Sequence, residues 1–464
     1  MFNQTHHSQT FRQVPVSYRP IPESRIRELL EIERSKFSKL APGSGSENDR
    51  AGKVTPLGVA SSFQHWSPYP ISIVSAKGAW MKDVDGRDML DLSMGFGALL
   101  VGHLNEEVVK EAKATLEVGT LFATPSPITR DGAEIIARRF GLDMVRFANS
   151  GTEATMYAIR TARAATGKLG IVKIEGGYHG SYDALMVSNK PDVALAGSSE
   201  DPTPIPLPAV VPGEVHVVPY NNADAIERVF KAHADSIACL IMEPVLENIG
   251  IVVPDMGYLE RVRQLCDQYG VLLIFDEVKT GLTAGPQGAA QRLGIKPDLI
   301  ALAKSIGGGI PVAAFGGKRE YMETIITGKH AHLGTFNGHF LAMAGVRAVD
   351  RICTPEALQR CEDLNRLALS RMSEIINEYE LPAHTVGFGV KGCVTWSGTP
   401  VRNYRDYKAT DFELAELSFF WSLNRNVMTP PGLDEQWLIS LAHGQREIDI
   451  MVGDFLEFAK TLRS

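Results

Sequence analysis

An α/β fold is what this sequence predicts: a mostly parallel sheet with crossover helices, followed by a smaller α+β domain. Three observations carry that expectation. From about residue 105 short apolar runs alternate with stretches of helical periodicity. Several of those runs are apolar at every position, as strands of a sheet covered on both faces should be. After about residue 346 the alternation gives way to long helical stretches and then short strands, the pattern of a separate small domain.

Taken in order, residues 1–22 read as a loose arm. "SRIRELLEIERSKFSKL" has apolar residues at helical spacing, with Ser24 as N-cap. "APGSGSENDRAG" has the composition of a loop, and "GAWMKDVDGRDMLDLS" reads as a β-hairpin turning at Asp85-Gly86. Strands are predicted at 144–150, 169–176, 237–245, 270–278 and 298–304. Helical patterns such as "EATMYAIRTARAATGK" and "GYLERVRQLCDQYG" lie between some of them. The Pro-rich stretch over 190–215 is long for a loop inside a compact domain, which marks it as disordered or as a lid. The expected organisation is an arm and joining segment over 1–100, a large domain over 101–345 and a C-terminal small domain over 346–464.

Composition narrows the function classes. The chain has 464 residues, 44% hydrophobic and 22% charged, with a formal net charge of -7. A nucleic-acid footprint would need a basic surplus or stripe. The five cysteines are odd in number and form no CxxC, so a disulfide framework is not expected and a reducing compartment fits. The N-terminus lacks the apolar core of a signal peptide, and no apolar run approaches the roughly 20 residues that span a bilayer. The expectation is a cytoplasmic protein without membrane or nucleic-acid partners, and no metal site.

Four stretches put chemistry at the C-terminal ends of predicted strands, where open α/β sheets bind ligands. In "FANSGTEA", Ser150, Gly151 and Thr152 open a helix whose free N–H groups and dipole suit a phosphate; a plain N-cap is the simpler alternative. In "LLIFDEV", Asp276 and Glu277 close an apolar strand, where a carboxylate is costly unless a cation or a cap pairs with it. In "LIALAKSIGGGIP", Lys304 ends another apolar run and glycines follow it. It lies 28 positions after Asp276, about one βαβ crossover, which sets both groups on one edge of one sheet. A Walker loop is excluded because its glycines precede the lysine. In "EGGYHGSYD", Tyr178 and His179 follow a fourth strand and offer an aromatic face for a flat ligand. Each signal is weak alone. Together they describe a ligand with a phosphate, a cationic aromatic ring and a carbonyl for a lysine, and pyridoxal 5′-phosphate has all three. A lysine desolvated in a pocket has a lowered pKa and becomes a nucleophile able to form a Schiff base. An aspartate at the pyridine nitrogen keeps the ring an electron sink.

The ordered set "NSGTEA", "GGYHG", "MEPV", "FDEV", "AKSIGGGIP" and "GTFNGHFLAMA" resembles the class III aminotransferases, fold-type I enzymes whose large domain holds a mostly parallel seven-stranded sheet with helices on both faces. The resemblance runs from about residue 55 to the C-terminus. "VPDMGYLERVR", "FGGKREYMETI", "PVRNYRDYKATD" and "SLAHGQREID" look like the glutamate-1-semialdehyde 2,1-aminomutase branch. The front of the chain looks more like β-amino-acid aminotransferases. The resemblance implies that Lys304 is the Schiff-base lysine and proton shuttle and that Asp276 pairs with the pyridinium. It sets Val278 and Tyr178 on the two ring faces, and Ser150, Gly151 and Thr152 on the phosphate. His179 and Glu243 stand near the cofactor. Thr335 would reach the phosphate of a neighbouring subunit, which implies a homodimer with shared sites.

Ser61, Gln64, Phe96 and Glu435 are the candidate substrate contacts. The aminomutase branch has an arginine that grips the substrate carboxylate where this chain has Gln64, and the β-amino-acid branch has one where Ser61 stands. A second, late arginine of the family would fall in "MTPPGLDEQW", which has none; Glu435 there matches a glutamate of the aminomutase branch. Gln64 cannot form a bidentate ion pair, a loss of about 1.5–3 kcal/mol. The expected activity is amino-group transfer between an amine or amino acid, including β-amino acids, and an oxo acid, aldehyde or ketone. The alternatives are the intramolecular aminomutase and, more remotely, a non-catalytic cofactor binder.

Overall fold

The computed structural model describes residues 10–207, 213–432 and 435–464. The chain divides into two compact units. One holds 106–358 and 401–408, and the other 10–105, 359–400 and 409–464.

The first unit is built on a seven-stranded sheet. Its spatial order is Met144–Ala148, Ala313–Gly317, Leu299–Leu302, Leu272–Asp276, Ile237–Met242, Gly170–Ile174 and Val215–Val218. Ala313–Gly317 runs against both of its neighbours, and the remaining pairings are parallel. Every position of Gly170–Ile174, Ile237–Met242, Leu272–Asp276 and Leu299–Leu302 is buried. Such strands need apolar residues on both faces, which is why their runs were legible. All five predicted strands are present. Val215–Val218 and Ala313–Gly317 were not predicted; the first is four residues long and the second, "AAFGG", has little β-propensity.

The register explains the active edge. Ala301 lies opposite Asp276 on the neighbouring parallel strand, so Lys304 leaves the same C-terminal edge three residues later. The helix Gly151–Thr166 leaves that edge from strand Met144–Ala148, with Ser150 as its N-cap accepting from the N–H of Glu153 at 3.2 Å.

The described part of the Pro-rich stretch is not a free flap. The Tyr404 hydroxyl donates to Pro191 O at 2.8 Å. Arg405 donates to Val193 O at 3.1 Å and Ala196 O at 2.8 Å, and holds Glu175 through two bonds of 2.9 and 2.7 Å. Residues 208–212 of the stretch lie outside the described residues.

The second unit corrects three expectations. Residues 10–13 are a strand paired antiparallel with His384–Phe388, not loose arm; residues 1–9 of the predicted arm lie outside the described residues. The first helix is Glu23–Leu40, capped at Pro22 without a side-chain bond, so Ser24 is inside it. The Gly- and Ser-rich segment is a helix, Pro42–Ala51. Its free N-terminal donors are satisfied from afar: Asp85, in the hairpin turn, accepts from Gly43 N at 2.6 Å, Ser44 N at 3.0 Å and Ser44 Oγ at 3.0 Å. A carboxylate at a helix start also complements the dipole. The hairpin is as predicted, with Trp80–Asp83 antiparallel to Asp88–Asp91. All five cysteines are free and buried. Among the described residues no helix is long and apolar enough to cross a membrane.

Candidate active site

Asp276 is the last residue of its strand and is buried. Its Oδ1 accepts from the N–H of Val278 at 2.9 Å, and its Oδ2 lies 2.8 Å from His179 Nδ1. His179 is buried too, and its Nε2 has no partner among the described residues. A carboxylate has about four acceptor positions. Two partners orient Asp276 and leave lone pairs for a cationic group.

Around this pair the sequence is buried almost throughout. In 171–180 the one partly exposed residue is Tyr178, in 271–280 it is Val278, and in 301–308 it is Lys304. These three open the same sheet edge, which is the arrangement of a pocket mouth. Lys304 has φ of 51°, left-handed for a residue with a side chain. That conformation costs roughly 1–2 kcal/mol, and such strain concentrates at functional positions.

Gly151 begins its helix against Val278; a Cβ there would meet both Val278 methyls at 3.1 Å. The N–H groups of Gly151 and Thr152 are first-turn donors with no intrahelical acceptor. Thr152 Oγ1 accepts from Ser181 N at 3.1 Å, which ties this helix start to the turn carrying Tyr178 and His179. The N-cap reading of "NSGTEA" holds for Ser150, and the first-turn N–H groups beside it are the candidate anion site.

Glu243 is buried; its Oε2 accepts from Glu247 N at 2.9 Å and its Oε1 has no partner among the described residues. Burial pushes its carboxyl above the usual range. Glu277, the other acid of "FDEV", has a structural task. It accepts from Ala289 N at 2.6 Å and Ala290 N at 2.8 Å, at the start of helix Gly288–Leu293, and burial raises its pKa to about 7. Thr335 is exposed, between exposed Leu333 and Phe336.

The four substrate candidates belong to the second unit. Ser61 and Gln64 bracket one 3₁₀ turn, in which Gln64 Oε1 accepts from Ser61 N at 3.2 Å. Phe96, with φ of 55°, packs edge-on against Phe63 at 5.0 Å between ring centres. Glu435 is half-buried. Two residues with a part in the first unit escaped the sequence reading: Lys173, a lysine inside the apolar run "LGIVKIEG", and Arg405. The first carries the same signal that singled out Lys304.

The residues present fit a flat, phosphate-bearing ring with a cationic nitrogen and a carbonyl. The donor set matches group by group: a buried oriented carboxylate, an amine on the same edge, helix-start N–H groups that have no intrahelical acceptor, and an aromatic and a valine at the mouth. The comparisons agree. Residues 62–399 match the model of the class-III aminotransferase family. A glutamate-1-semialdehyde 2,1-aminomutase 2 from Halalkalibacterium halodurans is 36% identical over 421 residues, covering 89% of this chain and 97% of that protein. The solved structure of an omega-transaminase from Sphaerobacter thermophilus superposes with a TM-score of 0.85 at 30% identity, covering 91% of this chain and 98% of its own. A β-phenylalanine aminotransferase from Variovorax paradoxus gives a TM-score of 0.85 at 29% identity, over 93% of this chain and 97% of its own. The chain belongs to the class-III aminotransferase family, with the fold-type I architecture and the pyridoxal 5′-phosphate dependence of that family.

Proposed function

We propose that this enzyme passes an amino group from an amine or amino acid, β-amino acids included, to an oxo acid, aldehyde or ketone, with Lys304 and Asp276 as its catalytic residues. The observation that carries the reading is their placement on one sheet edge: Asp276 ends a strand, and Lys304 follows the adjacent strand by two residues. When bound, the cofactor supplies an aldehyde that takes up amines and a ring that accepts electrons from the carbon losing its proton. Lys304 supplies the amine that holds the cofactor and the base that moves the proton at the substrate carbon. Asp276, oriented by His179 and Val278 N, holds the proton on the ring nitrogen. Tyr178 and Val278 cover the ring faces, and Ser150, Gly151 and Thr152 bind the phosphate. Glu243, whose carboxyl is pushed above the usual range by burial, lies beside this set. Mixing the purified protein with amine donors and following the cofactor spectrum tests the reading. Failure of every donor to convert the cofactor to its amine form would defeat it.

Aminomutase relatives at 36–40% identity favour the second reading, intramolecular transfer. The turn at Ser61–Gln64 weighs against it, because neither residue can pair with a carboxylate as an arginine does. Gln64→Arg is expected to lower KM for substrates that carry a carboxylate about tenfold, in line with a charge-assisted bond, and to leave simple amines unaffected. Forming 5-aminolevulinate from the semialdehyde without an added donor, at a rate unchanged by Gln64→Arg, would favour the aminomutase.

The working unit is a homodimer in which Thr335 reaches the phosphate in the partner subunit. Exposed Leu333 and Phe336 flanking it support this, since exposed large apolar residues in a cluster mark interaction sites. Light scattering is expected to give twice the chain mass of 50.6 kDa; a monomer with full activity would rule the shared site out. Five free, buried cysteines suit work in the reducing cytoplasm, and fractionation of the native cell checks it.

A further inference from the structure

One buried cation in the first unit has no part in the chemistry above. Lys173 sits in the middle of strand Gly170–Ile174 with no exposure. An ammonium so placed is costly unless each of its protons finds a partner. Its Nζ donates to Gly177 O at 3.0 Å and to Val187 O at 2.7 Å. Glu243 and Glu175 lie near enough to favour its charged form, and Glu175 is itself held by Arg405. Burial nonetheless draws its pKa down to about 7.

The destination of the first bond is what matters. Gly177 directly precedes Tyr178 and His179. A Cβ on Gly177 would lie 3.1 Å from His179 Nε2, so the imidazole packs directly on this residue. On its other side the imidazole holds Asp276 at 2.8 Å. The turn is clamped at neighbouring points as well, by Gly176 N to Ser188 O at 2.9 Å and Gly177 N to Ile174 O at 3.1 Å. A continuous path of contacts therefore runs from Lys173 through the Gly177 peptide and His179 to the acid proposed to meet the ring nitrogen.

We propose that Lys173 is a positioning residue for the cofactor: by holding the Gly177 and Val187 carbonyls it fixes the turn that sets Tyr178 and His179, and with them Asp276. This rests on the site proposed above. An apolar replacement would keep the strand's packing but free the turn, so the effect should fall on the ring and spare the amine substrate.

The test is Lys173→Met in the full chain, read by cofactor titration of the apo-protein, by the absorbance band of the loaded enzyme, and by kcat and KM for an amine donor. The dissociation constant for the cofactor should rise, and kcat fall, by about tenfold to a hundredfold, the scale of a small misplacement. The band should shift, and KM should stay within about twofold. Lys173→Gln, one bond shorter, reaches one carbonyl instead of two and should fall between wild type and Lys173→Met. If Lys173→Met does not fold, Lys173→Gln decides alone. Wild-type affinity and band in a folded Lys173→Met, or in Lys173→Gln when it is measured alone, overturn the proposal, even if melting drops. Wild-type protein that takes up no cofactor would instead defeat the site itself.

Discussion

Lys304→Ala is expected to fold, to melt within a few degrees of wild type, and to lose amino transfer by about 10⁴-fold or more, the upper range for removing a positioned proton carrier. Lys304 is partly exposed and lies past the end of its strand, so truncation leaves the buried run Leu299–Leu302 intact. Its backbone has φ of 51°, and alanine pays the same left-handed penalty as lysine. Stability should therefore hardly move, whereas Lys304→Gly should relieve the strain and raise the melting temperature. Lys304→Ala should still bind the cofactor through the phosphate and ring contacts, without the absorbance that attachment to lysine gives. A small primary amine added to the solution should restore part of the proton transfer. Lys304→Ala with wild-type turnover would end the assignment, because no other residue is proposed for that proton.

How much of this could be read before the structure was known depends on where each residue's partner lies. The central strands were legible because burial on both faces writes itself into four to six consecutive residues. Asp276 and Lys304 were legible together because a spacing of one crossover between two charged strand ends has few geometric outcomes. The helix Pro42–Ala51 was hidden: its own composition argues for a loop, and what holds its start is Asp85, far along the chain. Residues 10–13 were hidden for the same reason, since their partner strand begins at His384. The bond from His179 to Asp276 spans 97 positions, so the sequence showed an aromatic at a strand end and not its task. Glu277 looked as chemical as Asp276, yet it faces the start of a neighbouring helix. Two adjacent residues at the end of a strand point to opposite faces, and only the fold tells which face holds the ligand.

Asp276→Asn should fold and should cost about 10³-fold in turnover, the scale of losing one preorganised electrostatic partner in a water-poor site. Asparagine is isosteric, and its Oδ1 still accepts from Val278 N, so the bond observed at 2.9 Å survives. What it removes is the negative charge proposed to face the ring nitrogen. Glu243 does not take its place, since its Oε2 is already engaged by the N–H of Glu247 at 2.9 Å. His179→Ala should be milder, at about tenfold, because it removes an orienting contact and leaves the charge. The order of the two variants is the discriminating result. If His179→Ala were the more damaging, the imidazole rather than the carboxylate would be the group that meets the ring. Asp276→Glu should not restore activity, since one added methylene drives the carboxylate out of the 2.8 Å bond with His179. Spectra of Asp276→Asn should show cofactor attached to Lys304 at wild-type amounts when the cofactor is in excess, which would separate a lost electron sink from a lost binding site.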